Sequence, residues 1–142
     1  MNKRILLVVC ICLFVLMVGC TSSEYKSFIE AGNNSIHEGN YEDALTNYSK
    51  AMTEKETEEA ETIYEILELM VDGMSLFEQG NFEQSLEAYQ GIGELPIEEL
   101  TVLKKVERDR DKLIAQTEET IETYTRMVEL LEQGKDYLKE QE

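Results

Sequence analysis

Residues 32–48 of this sequence come back, altered but in register, as residues 73–89. Gly32, Gly39, Asn40, Glu42, Leu45 and Tyr48 recur as Gly73, Gly80, Asn81, Glu83, Leu86 and Tyr89, each 41 positions on and without a gap. Tyr41 returns as Phe82 and Ala44 as Ser85. A fixed period in this range restricts the chain to a repeat architecture, in which each unit stacks on the next. Within a unit the Gly-Asn dipeptide (39–40 and 80–81) reads as a turn. The glycine takes the left-handed conformation that closes a helix, and the asparagine caps the next one. Glu42-Asp43 and Glu83 follow at once, where the helix dipole favours negative charge. Tyr41, Ala44, Leu45, Tyr48 and Ala51, then Phe82, Ser85, Leu86, Tyr89 and Ile92, are spaced by threes and fours. That is a helical stripe, so each unit is expected to be helix, tight turn, helix.

Gly32 and Gly73 fall inside the first helix of each unit, where glycine costs about 1 kcal/mol against alanine. Small Ala44 and Ser85 lie twelve positions on, and small residues facing one another predict a close approach of the two helices. With these residues the chain resembles the tetratricopeptide repeat. Phe28, Ala31, Gly32, Ala44, Tyr48 and Ala51 fit that motif in the first unit, and Leu69, Gly73, Leu76, Ser85 and Tyr89 in the second. Ser35 and Glu56 stand where the motif has an aromatic and a proline, Asp72 and Ile92 depart from it, and Pro96 comes one residue early. The resemblance implies antiparallel helix pairs at about 25–58 and 66–96, with a partial third unit at about 120–142 carried by Leu130, Gly134 and Tyr137. A period of 41 against the family's 34 requires longer helices or connections.

The first twenty residues read as an address. Lys3 and Arg4 precede an unbroken apolar run of fourteen residues, Ile5 to Val18. A membrane-spanning helix needs about 20 apolar residues; this length suits the core of a signal peptide. Leu16-Met17-Val18-Gly19-Cys20 follows, and it resembles the lipobox of bacterial lipoproteins. That resemblance implies cleavage after Gly19, a diacylglycerol thioether on Cys20, further acylation, and anchoring on the extracytoplasmic face of the cell membrane. An uncleaved anchor is the alternative. Cys10 and Cys12 lie in the leader and Cys20 would carry lipid, so the exported domain would hold no thiol and no disulfide. The parts expected are thus a leader at 1–19, the lipidated Cys20 with a short tether at 20–24, and one helical domain at 25–142. Removal of Lys3 and Arg4 would take the formal charge from −17 to −19. Such a surface repels nucleic acid and anionic headgroups, which excludes nucleic acid as a partner and leaves the lipid as the membrane contact.

The remaining pattern is helical throughout and predicts an all-α fold. Residues 24–38 and 41–52 are the first pair, and Thr53 to Glu61 is a polar connector. Apolar residues crowd between Thr62 and Gln79 in a stripe too wide for one face, so that helix is expected to be covered on two sides. Pro96 marks a new start. Beyond it Leu100, Leu103, Val106, Leu113, Ile121, Tyr124, Val128 and Leu131 keep a helical rhythm, as one long helix or as two meeting near Gln116-Thr117.

Catalytic and cofactor chemistry is not written in the sequence. One histidine, His37, without a thiol or a second histidine cannot make a zinc site in one chain. No nucleophile stands at a recognisable spacing from a base, and there is no phosphate loop and no EF-hand loop. Asp109 and Asp111, flanked by arginines, read as a salt-bridged helix face. The expected role is therefore non-enzymatic, without metal or cofactor: a protein–protein interaction module, adaptor or scaffold. In the resembled family the first helices of the repeats line a groove. Here that implies Lys26, Ile29, Asn33, Ile36 and His37, then Leu67, Met70, Met74 and Phe77. A Met-containing apolar groove suits an amphipathic helix or apolar peptide. Three alternatives stand beside this one. The chain's own C-terminal helix fills the groove, since Tyr124, Val128 and Leu131 need cover; the long helix packs against a copy of itself in a self-associating, structural protein; or the chain is a cell-envelope enzyme whose site follows none of these patterns.

Overall fold

The computed structural model describes residues 23–95 and 101–139. The leader, Cys20, most of the tether and Pro96 lie outside the described residues. Within them the chain is all-α: α1 (23–38), α2 (Tyr41–Glu54), α3 (Glu58–Glu78), α4 (Phe82–Ile92), a 3₁₀ turn (Thr101–Leu103) and α5 (Lys104–Lys139). Ser23, expected in the tether, is already helical, so α1 begins one residue before the expected 24. No helix among the described residues is long and apolar enough to cross a membrane.

Both turns close in the same way. Gly39 and Gly80 sit at φ 83° and 80°, the left-handed region that glycine enters without penalty. Asn40 N–H donates to the Ser35 carbonyl and Gly39 N–H to that of Ile36; Asn81 and Gly80 repeat this on Leu76 and Phe77. This double bond satisfies carbonyls that the helix end would otherwise leave open. The asparagine side chains do not cap the following helix, contrary to expectation. Asn40 and Asn81 contribute only their carbonyls, to Ala44 and Ser85. The side-chain cap lies elsewhere: Thr57 Oγ1 accepts from Ala60 N–H and starts α3, so the polar connector shrinks to Lys55–Thr57. The long period is taken up in α3, whose 21 residues begin before the expected Thr62.

The inner glycines meet aromatic rings. A Cβ on Gly32 would come within 2.7 Å of the Tyr48 ring, and one on Gly73 within 2.7 Å of Tyr89 Cδ1. Each glycine is thus the floor under a tyrosine from the second helix of its own pair, and in the second pair this contact is added to the expected facing of Ser85 on Gly73. Ser85 is small for a related reason, since its buried hydroxyl donates to the Gly73 carbonyl at 2.7 Å. Tyr48 and Tyr89 are almost wholly buried, and burial of a large aromatic is worth about 2–3 kcal/mol.

α3 packs against both α2 and α4, burying Ile63, Ile66, Leu67 and Met70. Its wide apolar stripe is thereby explained. α5 is one continuous helix of 36 residues. Its first half lies antiparallel on α4, with Leu103 and Val106 fully buried. A polar clasp fixes it to the start of α2, where Tyr41 Oη donates to Asp109 Oδ2 at 2.6 Å and Lys105 pairs with the same carboxylate. Burial alone would raise the Asp109 pKa. Hydrogen bonds from Lys105 and Tyr41, with the charges of Lys105 and Lys112, outweigh it and hold the carboxyl below its usual range. Its contribution to stability is complete above about pH 4 and is lost as the pH falls through the lower folded value.

Gly32→Ala and Gly73→Ala are each expected to lower the unfolding free energy by about 1–3 kcal/mol, because the methyl meets a ring face that cannot swing away. Gly91→Ala, whose methyl meets only Leu69 Cδ1 at 3.6 Å, is expected to cost nothing or to gain up to about 1 kcal/mol. Urea unfolding followed by circular dichroism measures all three.

Candidate functional site

Between α1, the start of α3 and the 3₁₀ turn lies a cleft of about 400 Å³. Tyr25, Ile29 and Asn33, four residues apart on α1, form one wall. Glu59, Ala60 and Ile63 of α3 form the second, Thr101 and Val102 the third, and Tyr48 the floor. The walls are held by hydrogen bonds. Tyr25 Oη and Thr57 Oγ1 are 2.9 Å apart, which ties α1 to the residue that caps α3. Tyr48 Oη donates to Asn33 Oδ1 at 2.6 Å. That bond engages the amide oxygen of Asn33 where the residue lines the cleft. Glu59, exposed in the first turn of α3, sets a negative charge at the mouth. Among the described residues the arrangement offers one carboxylate, one side-chain amide and two aromatic rings beside aliphatic walls. It suits an apolar group next to a cation, and among these residues no acid and base are paired within reach of one another.

The expected groove residues divide into three groups. Ile29 and Asn33 come together in this cleft, and Lys26 lies exposed beside them on α1. Ile36, Leu67 and Met70 do not line a groove. All three are 0% exposed, because α2, α4 and the start of α5 leave no open face on that part of the bundle. Met74 and Phe77 are half-buried toward the C-terminal end of α3, about three to four turns along the helix from Ile63. Phe77 stacks edge-on against Phe82 at 5.2 Å, and Phe82 in turn against Tyr124 at 5.3 Å. His37 is exposed. The sequence reading missed Tyr25, Tyr48, Glu59, Ala60, Ile63, Thr101 and Val102. Tyr25 was within reach of it, as the residue four before Ile29 on the same helix face. The C-terminal helix does not fill the cleft either: from Tyr124 on, α5 runs beyond the start of α4, and its apolar residues are exposed.

The two repeats differ at one position that matters for the cleft. Asn33 matches Met74, so Tyr48 has a side-chain acceptor and Tyr89 has none. The buried Tyr89 hydroxyl lacks a partner among the described residues. An unsatisfied buried hydroxyl costs about 1–3 kcal/mol, whereas a satisfied one contributes about 1 kcal/mol. Tyr48→Phe is therefore expected to destabilise by about 1 kcal/mol and Tyr89→Phe to be neutral or stabilising, measured as urea midpoints at constant m-value.

Burial raises the pKa of Tyr41, Tyr48 and Tyr89. The Asp109 bond adds to the effect at Tyr41, and the Glu59 charge adds to it at Tyr48. Raised folded values mean that the stability these protons supply is complete below the unfolded value of about 10 and is lost above it. Tyrosinate absorbance from these residues is expected to appear together with loss of helical signal in an alkaline titration. Ionisation of all seven tyrosines while the helix signal stays intact would contradict their burial.

Comparison with protein-family models, with curated proteins and with solved structures gives no significant match.

Proposed function

We propose that this chain is a lipid-anchored protein of the extracytoplasmic membrane face whose helical domain holds a segment of another protein. The observation that carries the binding half of this reading is the cleft at Tyr25, Ile29 and Asn33, walled by three separate elements and floored by the Tyr48 ring. A cleft of this size has room for one or two side chains of a partner segment. Glu59 at its mouth, on a chain of formal charge −17, favours a partner segment that pairs an apolar anchor with a lysine or arginine. An amphipathic helix with a basic edge meets both demands.

The anchoring half rests on the sequence alone. A basic start, a short apolar core, Gly19-Cys20 and a polar Thr21-Ser22-Ser23 stand in the order that a lipoprotein leader requires. Two or more acyl chains hold a protein to a bilayer stably where one does not. The domain itself is too acidic to cling to anionic headgroups. No catalytic step is assigned to it.

The binding half is tested by a photo-crosslinking residue at Ile29 in cells that carry the full chain. One recurrent protein adduct, lost when Glu59→Lys reverses the charge, is the expected result. Adducts confined to this chain would overturn the binding role. The anchoring half is tested separately by mass spectrometry of Cys20: a diacylglycerol adduct is expected, and a free thiol would contradict it.

A further inference from the structure

α5 extends past the rest of the fold. Tyr124 is its last residue stacked on α4, through Phe82. Thr125 to Lys139 continue for about 22 Å at the helical rise of 1.5 Å per residue. This overhang is strongly two-sided. Tyr124, Met127, Val128, Leu131 and Leu138 stand at i, i+3, i+4, i+7 and i+14 on one face, with Leu130 and Tyr137 along its edge. All seven are between 47% and 67% exposed. Together they amount to on the order of 800 Å² of surface, which is what each partner brings to a stable interface.

We propose that this face pairs with the same face of a second copy, antiparallel and centred on Leu131. Three observations favour a second copy over other occupants. The first is charge. Residues 124–139 carry three bases (Arg126, Lys135, Lys139) and three acids (Glu129, Glu132, Asp136), net zero on a chain of −17, so two copies repel least here. The second is the stop at Tyr124. The apolar face of the overhang continues the face that α4 covers, so an incoming helix can advance only until it meets the start of α4. The copy's Leu138 then lies level with Tyr124, and this sets Leu131 against Leu131. The third is shape. In that register Met127 of each copy lies over Gly134 of the other. Among the described residues nothing lies within 4 Å of the missing Cβ of Gly134, while the in-chain Gly32 and Gly73 each receive a ring. A flexible thioether fits such an open seat. A bilayer surface is disfavoured, because Glu129, Glu132 and Asp136 run along the middle of the polar face, where interfacial helices carry bases.

The test uses the full chain in membranes, prepared from a mixture of isotopically light and heavy cells fused before irradiation. A photo-crosslinker at Tyr124 is expected to join light to heavy chains at the peptide containing Leu138. Leu131→Glu with Leu138→Glu is expected to weaken the dimer roughly 100-fold or more. That change is read by sedimentation in uncharged detergent, with helical content unchanged. The proposal is overturned by a single-copy mass at every concentration, by a dimer indifferent to the double substitution, by Tyr124-to-Tyr124 adducts (a parallel pair), or by adducts to lipid or to another protein alone. None of these outcomes bears on the cleft at Ile29, which is probed separately.

Discussion

A tyrosine ring lying on a glycine is the contact from which the rest of this molecule follows. In each helix pair the second helix sends a ring, Tyr48 or Tyr89, onto a first-helix position that has no side chain, Gly32 or Gly73. The ring could not lie so close over any other residue, and the glycine would weaken its helix without the ring. The two rings set the approach of α2 to α1 and of α4 to α3. Once both pairs are fixed, the wide face of α3 can be shared between them. Ile63, Ile66, Leu67 and Met70 then close a core that holds no disulfide among the described residues. The same contact shapes the cleft. Its floor is the Tyr48 ring, and the hydroxyl of that ring orients Asn33.

α5 is attached by different means. Leu103 and Val106 are driven into the bundle by burial, but the direction of the helix is set by a polar clasp, Tyr41 and Lys105 on Asp109. That clasp joins the start of α5 to the turn of the first pair, while the helix body lies on the second. α5 therefore bridges both repeats before it leaves them, and the overhang is aimed by residues some twenty positions upstream of it.

Much of this is legible in the sequence. The glycine turns, the tyrosine stripes, the all-α class and the two-sided cover of α3 follow from local rules on backbone conformation and spacing. The parts not legible are those decided across the hairpin. Spacing alone does not tell that Gly73, which faces Ser85 twelve positions on, also seats the ring of Tyr89, sixteen on. Ile36, Leu67 and Met70 were assigned to a groove because they lie on the first helices. They are buried because neighbours cover those edges, a fact that belongs to the assembly and not to the helix. Tyr124, Val128 and Leu131 show the converse: a periodicity that elsewhere means core is here left exposed.

The central claim is best tested by a double-mutant cycle between Gly73→Ala and Tyr89→Leu, read as unfolding free energies. If the glycine exists to seat the ring, the alanine substitution should cost about 1–3 kcal/mol beside tyrosine and close to nothing beside leucine. An equal cost in both backgrounds would mean that Gly73 is needed for some other reason, and the account of how these helix pairs are held together would be wrong.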